Sequence, residues 1–192
     1  KFPVLWFWLP LRAFMGFTKP RKKNRILGQE VAGEIEAVGR DVTKFKVGDK
    51  VFTPTGFGGA YAEYICLSEK EAIAIKPENI SFEEAAVMPM GGLNAVHFMR
   101  KANIQKGDKV LINGAGGCIG TPAVQLAKYY GAEVTAVDSS EKLEMLSSIG
   151  ADHFIDYTKE DFTKSGEKYD VILDMVVHSS YSGCLKSLKK NG

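Results

Sequence analysis

The stretch "KVLINGAGGCIGTPAVQLAK", residues 109 to 128, places a glycine-rich turn between a predicted strand and a predicted helix. The apolar run before the turn is typical of a buried strand, and the apolar positions after it repeat with a helical period. Such a turn needs small residues because it leaves the strand tightly, lets a diphosphate approach the backbone and packs the helix against the strand. Backbone N–H groups at the helix start would then face the diphosphate. The stretch therefore predicts a dinucleotide-binding unit.

An acidic residue supports this prediction. Asp138 ends the next predicted strand, "EVTAVD", where a carboxylate can accept hydrogen bonds from an adenosine ribose. The alternative is a glycine-rich turn in a sheet that binds no nucleotide. The residues predicted to bind the cofactor at this edge are Gly114, Ala115, Gly116, Gly117, Cys118, Ile119, Gly120 and Asp138.

Strands and helices alternate from Lys109 to the last residue. "EVTAVD", "HFID" and "YDVILD" read as three more strands, and "EKLEMLSSIG" reads as a helix that stops at Gly150. Strands separated by helices of this length predict right-handed crossovers and a parallel sheet. The pattern gives four strands, and a fifth is expected just beyond Gly192.

Short strands and turns are predicted over residues 28 to 76. "EIEAV", "YAEYICL" and "EAIAI" read as strands, and "FKVGDKVF" reads as a hairpin around Gly48-Asp49. Glycines and prolines punctuate the whole region, which favours a small, barrel-like β domain.

The sequence pattern changes from short strands and turns to helices at Ser81. "SFEE" has the spacing of a capping box, so a helix is predicted to start there. We expect an interruption around Pro89, Gly91 and Gly92 and a second helical stretch from about Leu93 to Lys101. This passage divides the chain into predicted domains of residues 1–99 and 100–192.

Composition excludes few function classes. The chain has 192 residues, 45% hydrophobic, with a net charge of +2, which is ordinary for a soluble globular protein. Its three cysteines are far apart, so neither a disulfide framework nor a zinc cluster is indicated, and a reducing, cytoplasmic setting fits best. The apolar residues 2–17 are interpreted as a buried or substrate-facing segment, and the alternative is peripheral contact with a membrane. No stable membrane insertion is expected. The basic residues 19–25 are interpreted as a solvated loop, without a nucleic-acid partner.

Several separated motifs carry a family resemblance. "GDKVLINGAGGCIGTPAVQLAK" is similar to the signature of quinone oxidoreductases and zeta-crystallin, with Cys118 standing where that pattern has glycine. "FKVGDKVF", "GGAYAEY", "SFEEAAVMPMGGLNA" and "IGADHFIDY" are typical of the medium-chain dehydrogenase/reductase superfamily. The resemblance implies an α/β fold, in which a partial GroES-like β-barrel domain precedes a partial Rossmann-type parallel-sheet domain. It also implies a homodimer and a chain that is truncated at both ends.

The resemblance also bears on metal binding. "LGQEVAGEIEAVG" matches a signature whose second position is a metal-binding histidine in zinc-dependent alcohol dehydrogenases, and this chain has Gln29 there. A neutral amide is a poor zinc ligand. Another ligand position aligns near Gly91, which has no side chain. The chain therefore resembles the zinc-free branch, which implies hydride transfer from NADPH or NADH to a quinone or an α,β-unsaturated carbonyl. The alternatives are a nucleotide-binding protein without turnover and a zinc-free alcohol dehydrogenase.

The resemblance suggests further site residues. The candidate catalytic residues are Gln29, Asn94 and Tyr61. The alternative is a cavity-filling role for Gln29, helix capping for Asn94 and core packing for Tyr61. Asp138 favours NADH because it would repel a 2′-phosphate. Ser139, Lys142 and Tyr157 match positions that hold this phosphate in NADPH-using relatives. The loop that includes Val176 matches the family's ribose-contacting loop, so the choice between the two cofactors stays open.

Overall fold

The computed structural model describes residues 26–56, 58–176 and 179–192. The chain divides into two compact units that meet between Pro89 and Met90. The segments 2–17 and 19–25, for which the sequence predicts a buried segment and a solvated loop, lie outside the described residues. Within the described ranges, no helix is both long enough and apolar enough to cross a membrane.

The first unit contains an antiparallel sheet of three strands in the described part of the chain. These strands are β1 (Glu30–Glu34), β2 (Lys50–Pro54) and β3 (Ala74–Ile75), in the order β1-β2-β3. The register sets Ala32 opposite Phe52 in the first pair and Phe52 opposite Ala74 in the second. Thr53 in the central strand is buried.

Three local predictions for this unit were wrong. First, the strand near "EIEAV" ends at Glu34 and lies mostly before that motif. Second, the turn at Gly48 does not make a hairpin of its two flanks, because β2 pairs with β1 and the Gly48 amide donates to the Ile35 carbonyl, at 2.8 Å. Third, "YAEYICL" forms no strand, and only Ala74–Ile75 of "EAIAI" does.

A buried lysine stabilises the turn after β3. Lys76 is 8% exposed, and its ammonium donates to the carbonyls of Pro77, at 2.8 Å, and Ile80. The same nitrogen lies 5.3 Å from the centre of the Phe82 ring, within the range of a cation–π interaction. The cation therefore satisfies carbonyl groups that the turn leaves unpaired.

The predicted capping box begins helix α1 (Phe82–Ala86). Ser81 Oγ accepts from the Glu84 amide at 3.1 Å, and the Glu84 carboxylate accepts from the Ser81 amide at 2.7 Å. Helix α2 (Met88–Ala102) follows after one residue. The predicted interruption around Pro89 was therefore wrong, because the break falls at Val87. Pro89 lies in the first turn of α2, where its missing N–H costs no helical hydrogen bond.

The second unit contains the predicted parallel sheet. Its strands are β4 (Lys109–Asn113), β5 (Glu133–Asp138), β6 (His153–Asp156) and β7 (Val171–Asp174), in the order β6-β5-β4-β7. All three neighbouring pairs are parallel. Helices α3 (Gly120–Tyr129), α4 (Leu143–Ser148) and α5 (Tyr181–Ser187) connect or follow the strands, with a 3₁₀ turn at Ser140–Lys142 before α4 and another at Phe162–Lys164.

The core of this unit explains where the boundary along the chain lies. Val110, Ile112 and Val134 of the central strands are fully buried, together with Ala95 and Met99 of α2. Since α2 packs its apolar face into this core, it belongs to the second unit from Met90 onward. The boundary in the structure thus lies ten residues before the predicted division at residue 99.

A single bridge joins the segment before β7 to the residues after α5. Tyr169 and Leu188 form a parallel bridge, in which the Tyr169 amide donates to Ser187 and the Lys189 amide donates to Tyr169, both at 2.9 Å. This single bridge is not a strand, so the fifth strand that the sequence predicts beyond Gly192 stays a prediction.

Candidate nucleotide-binding site

A cavity of about 1070 Å³ opens at the carboxyl ends of the parallel strands of the second unit. It is lined by the turn after β4, the ends of β5 and β7 and the segment after β6. Clefts at this edge of a parallel sheet are where doubly wound proteins bind ligands, because the loops that leave adjacent strands diverge there. Its volume lies at the upper end of the range for small-molecule sites.

The turn after β4 fits tightly against its surroundings because of its glycines. A Cβ atom at Gly120 would overlap the carbonyl oxygen of Gly114, so no side chain fits where α3 leaves the turn. Gly114 has a φ of +81°, and a Cβ there would lie 2.6 Å from Val176 Cγ2. The absence of side chains at these glycines therefore lets α3 start close to Gly114 and lets the turn lie close to the loop after β7.

The backbone amides of the turn fall into two groups. Those of Gly114 and Ala115 donate to the Val137 carbonyl, at 2.9 and 3.2 Å, and that of Gly117 donates to Gly114, at 3.0 Å. Among the described residues, no acceptor pairs with the amides of Cys118, Ile119 and Gly120, which stand at the start of α3. These three donors fit a diphosphate, because they lie at the positive end of the helix dipole and beside the cavity.

Asp138 is buried at the end of β5 and contacts the turn directly. Its Oδ2 accepts from the Gly116 amide and its Oδ1 from the Ser139 amide, both at 2.8 Å. Lys142 Nζ lies 3.2 Å from Oδ1 and donates to the Gly116 carbonyl at 3.3 Å. Burial alone would raise the pKa of the Asp138 carboxyl, but the two amides and the ammonium outweigh it and hold the pKa below its ordinary value.

A second buried carboxylate ends the neighbouring strand. Asp156 Oδ1 accepts from the Thr158 hydroxyl at 2.7 Å and from the Thr158 amide at 2.9 Å, while Lys159 Nζ lies 3.0 Å from Oδ2. Hydrogen bonds from the Thr158 hydroxyl, the Lys159 ammonium and the Thr158 amide hold the pKa of Asp156 far below its ordinary value. This network fixes the turn that carries Tyr157, whose side chain is exposed at the cavity rim.

The structure brings most of the predicted cofactor residues together. The cavity is lined by Gly114, Gly117, Cys118, Ile119, Gly120, Asp138, Lys142, Tyr157 and Val176. Ala115, Gly116 and Ser139 do not line it, because Ala115 is fully buried and the amides of Gly116 and Ser139 are bound to Asp138. Their assignment to cofactor contact stays a prediction.

Other lining residues were missed in the sequence. They are Asn113, Val137, Glu160, Asp161, Phe162, Thr163, Met175, Ser179 and Ser180. Asn113 Nδ2 donates to Asp174 Oδ1 and to Ser179 Oγ, both at 3.0 Å, and so ties β4 to the loop after β7. One signal was available: in a parallel sheet, the residues that end each strand gather at the same edge.

Helix α2 touches the turn at one glycine. A Cβ atom at Gly91 would overlap the carbonyl oxygen of Cys118, whereas a Cβ at the adjacent Gly92 would meet no atom within 4 Å. Gly91 therefore cannot carry a metal-binding side chain without displacing the turn. The contact gives a physical reason for glycine at the position that the family resemblance aligns with a metal ligand.

The candidate catalytic residues of the first unit lie in or beside the segment that precedes β1. The Gln29 side chain is exposed, and its carbonyl accepts from the Thr55 amide at 2.7 Å. Tyr61 packs its ring against the backbone of Gly28, and its amide donates to Leu27 at 2.8 Å. Tyr61 is 79% exposed, so core packing, the alternative to a catalytic role for this residue, was wrong.

Asn94 lies within α2 and does not cap it. Its side-chain amide donates to the Met90 carbonyl one turn earlier, at 2.7 Å. Helix capping, the alternative to cofactor contact for this residue, was therefore wrong. The role of Asn94 at a nicotinamide stays a prediction.

Comparison with known families agrees with this architecture. Residues 10–77 match the family described as "Alcohol dehydrogenase GroES-like domain", and residues 118–192 match the family described as "Zinc-binding dehydrogenase". The two matches occur in this order, one in each unit. The chain belongs to the medium-chain dehydrogenase/reductase superfamily.

Curated relatives within the superfamily are similar over most of this chain. A 2-methylene-furan-3-one reductase from Solanum lycopersicum is 41% identical over 160 residues, which are 78% of this chain and 41% of the relative. A quinone oxidoreductase from Pseudomonas aeruginosa is 36% identical over 174 residues, which are 86% of this chain and 53% of the relative. The chain spans about half the length of the curated relatives it matches.

Solved superfamily structures are similar to the same extent. The quinone oxidoreductase from Coxiella burnetii has a TM-score of 0.81 at 35% identity, and the matched region covers 86% of this chain and 53% of the oxidoreductase chain. The CurK enoyl reductase has a TM-score of 0.84 at 32% identity, and the matched region covers 96% of this chain and 57% of the reductase chain. The sequence prediction of a GroES-like unit followed by a Rossmann-type parallel sheet is confirmed.

The residues at the aligned metal positions do not fit zinc, despite the name of one matching family. Gln29 offers a neutral amide, and Gly91 is packed against Cys118. Across residues 26–56, 58–176 and 179–192, no three His, Cys, Asp or Glu side chains are grouped so that they could hold a metal ion.

Proposed function

We propose that this protein is an NADPH-dependent reductase that transfers a hydride to a quinone or an α,β-unsaturated carbonyl compound. The observation that carries the proposal is the cavity beside the amides of Cys118, Ile119 and Gly120, which have no acceptor within the described part of the chain. These donors suit a dinucleotide diphosphate. The matched relatives that are named as a quinone oxidoreductase and as a reductase of a methylene-furanone support the acceptor class.

The bound nicotinamide would supply the hydride, and the chain supplies binding, orientation and exclusion of water. The Gly114–Gly120 turn would hold the diphosphate, and Val176 and Met175 would cover the adjoining ribose from the loop after β7. Gln29 and Tyr61 carry groups that can donate a hydrogen bond to the acceptor's oxygen as negative charge develops there. Asn94 would orient the nicotinamide.

NADPH is proposed over NADH on two grounds. Lys142 lines the cavity and would supply a positive charge to a 2′-phosphate, with Tyr157 at the rim; Ser139 would add a hydroxyl donor. One relative, 41% identical over 161 residues, is named an NADPH-dependent alkenal/one oxidoreductase, from Arabidopsis thaliana. A homodimer and a cytoplasmic location also belong to the proposal, by analogy with the family and from the composition.

The test is turnover with purified protein. NADPH oxidation is followed at 340 nm with a simple quinone and with a short-chain enone, with and without added chelator. We expect steady oxidation that chelator does not change. NADPH binding without turnover on either acceptor would favour a nucleotide-binding protein that is not an enzyme. Activity that is lost with chelator would contradict a zinc-independent reductase.

A second candidate is a zinc-free alcohol dehydrogenase. One solved structure, an NAD-dependent alcohol dehydrogenase, has a TM-score of 0.78 at 31% identity and supports this alternative. Reduction of NAD⁺ or NADP⁺ by a panel of primary and secondary alcohols tests it directly. Faster alcohol oxidation than quinone or enone reduction would favour this candidate.

A further inference from the structure

Asp138 occupies the place where the sequence predicts a ribose-binding acid, yet its contacts are with the protein. It is 7% exposed, and each carboxylate oxygen already accepts from a backbone amide at 2.8 Å. A carboxylate oxygen has room for a second bond, but Oδ1 also has the Lys142 ammonium at 3.2 Å. Little capacity is left for two ribose hydroxyls.

The contacts made by Asp138 and Lys142 converge on one residue of the turn. Gly116 donates its N–H to Asp138 Oδ2 and accepts from Lys142 Nζ at its carbonyl oxygen, at 3.3 Å. A Cβ at Gly116 would overlap Lys142 Cδ, so the lysine stem passes directly over the glycine. The ion pair therefore holds the peptide groups on both sides of Gly116.

Holding Gly116 in this way orients the amides that follow. The Gly116 N–H points to Asp138, and the next three unpaired donors begin two residues later, at Cys118. Only Gly117 separates Gly116 from Cys118. Without the hydrogen bonds at Gly116, the turn would therefore no longer orient the three amides in one direction. Preorganised donors bind an anion better than donors that must first be ordered.

We propose that Asp138 is a positioning residue for the glycine-rich turn, bound to the Gly116 amide, and that it does not select between NADH and NADPH at the ribose. This inference rests on the proposed function, because it names the role of one residue in the same cofactor site. Its charge is matched by Lys142, so it does not exclude a 2′-phosphate. The other carboxylates in the cavity lining are Glu160 and Asp161, and Asp161 is paired with Lys164 at 3.2 Å.

Binding measurements on matched variants test the proposal. Dissociation constants for NADPH and NADH are measured by calorimetry on wild type, Asp138→Asn and Asp138→Ala. The control is Asp152→Asn, which does not line the cavity. Its carboxylate, like that of Asp138, binds both backbone and lysine: it accepts from the Val134 amide and from Lys128, all at 2.7 Å.

We expect both Asp138 variants to bind NADPH and NADH more weakly by roughly tenfold, because each loses charge-assisted hydrogen bonds to the turn. The ratio of the two dissociation constants should change by less than about fivefold, and Asp152→Asn should leave both constants unchanged. Weaker NADH binding with equal or tighter NADPH binding would overturn the proposal, and so would unchanged binding of both cofactors.

A spectroscopic measurement on wild type keeps the test independent of how the variants fold. The hydrogen bond predicts a scalar coupling between the Gly116 amide nitrogen and the Asp138 carboxylate carbon in deuterated protein. The coupling should be present in the free protein and persist after NADPH is added. Its absence from the free protein, or its loss on NADPH binding as the carboxylate turns to the ribose, would overturn the proposal. None of these measurements needs an acceptor, so a protein without turnover would refute the proposed function alone.

Discussion

At the scale of single residues, buried carboxylates at strand ends dominate the electrostatics of the second unit. Asp138 and Asp156 end adjacent strands, and both have a pKa below the ordinary value because hydrogen-bond donors surround the charged form. A carboxylate with a depressed pKa stabilises the folded state only while it is ionised. Both residues thus link the stability of this edge of the sheet to pH.

The first prediction concerns Asp156→Asn. Its folded-state pKa is lower than the unfolded value of about 3.9, so its contribution to stability is present above that value and is lost as the pH falls toward the folded-state pKa. We expect the variant to have a lower urea midpoint than wild type at pH 7, with the gap narrowing between pH 5 and pH 2. Urea titrations at several pH values measure this gap, and Asp41→Asn, at an exposed position, should change no midpoint. A gap that is constant with pH would contradict the assignment.

At the scale of helices and strands, two adjacent glycines in α2 have opposite surroundings. Gly91 lies against the Cys118 carbonyl, and Gly92 faces open space. Both are in the same helix, so the helix propensity of a substitution is the same at the two positions, and any difference between the two variants reports the contact with the turn.

The second prediction compares Gly91→Ala with Gly92→Ala. The Gly92 variant should be more stable than wild type by about 0.5–1 kcal/mol in free energy of unfolding, because alanine is the better helix former. The Gly91 variant should be less stable and should bind NADPH more weakly, since its methyl group displaces the Cys118 carbonyl. Chemical denaturation and cofactor titration measure both effects. Equal unfolding free energies and equal NADPH affinities of the two variants would show that α2 does not pack against the turn at Gly91.

The third prediction concerns the capping box of α1. Ser81→Ala should cost about 1 kcal/mol of unfolding free energy, because the Glu84 amide loses its acceptor. Ser81→Asp keeps an acceptor at the same place and should stay close to wild type. Thermal or urea unfolding measures the difference. A Ser81→Asp variant as unstable as Ser81→Ala would indicate that the site does not act as a cap.

Sequence patterns predicted the elements of the second unit better than those of the first. "KVLIN" and "EVTAVD" are mostly apolar between their end residues and form buried strands at the predicted places, because a parallel sheet covered on both sides favours such runs. "YAEYICL" alternates as a strand would, yet its tyrosines are exposed and it makes no ladder. Strand formation there depends on a partner strand, which a local pattern does not specify.

The candidate site was predicted in part, for a related reason. The glycine spacing after Asn113 marks a tight turn wherever it occurs, and the turn lies where it was expected. The residues after β6 and β7 carry no such spacing, and only the strand order brings Phe162 and Ser180 to the same cavity. The role of Asp138 could not be read at all, since an acid at a strand end can face a ribose or the protein's own amides.

At the scale of the whole molecule, the cavity at the carboxyl ends of the parallel strands is contained within the second unit. All of its lining residues lie between Asn113 and Ser180. A ligand that binds only the folded form stabilises it by mass action, so binding there should be visible in the unfolding of this unit.

The fourth prediction follows from this linkage. NADPH at one hundred times its dissociation constant should stabilise the folded form by about 2.7 kcal/mol, which corresponds to a rise of roughly 5–10 °C in melting temperature for a protein of this size. Differential scanning calorimetry measures the rise. Gly120→Val, whose side chain would overlap the Gly114 carbonyl, should show no rise. A wild-type protein without any shift would contradict nucleotide binding at the turn.

The buried ammonium of Lys76 has a chemical consequence for the first unit. An amine must reach solvent before it attacks an acylating reagent, and the Lys76 ammonium is buried and held by two carbonyls and an aromatic ring. In a mass-spectrometric footprint with an N-hydroxysuccinimide ester, Lys76 should stay unlabelled while the exposed Lys50 reacts within minutes. Labelling of Lys76 would then begin only as heat opens the turn, so this one side chain would report the local melting of its own unit.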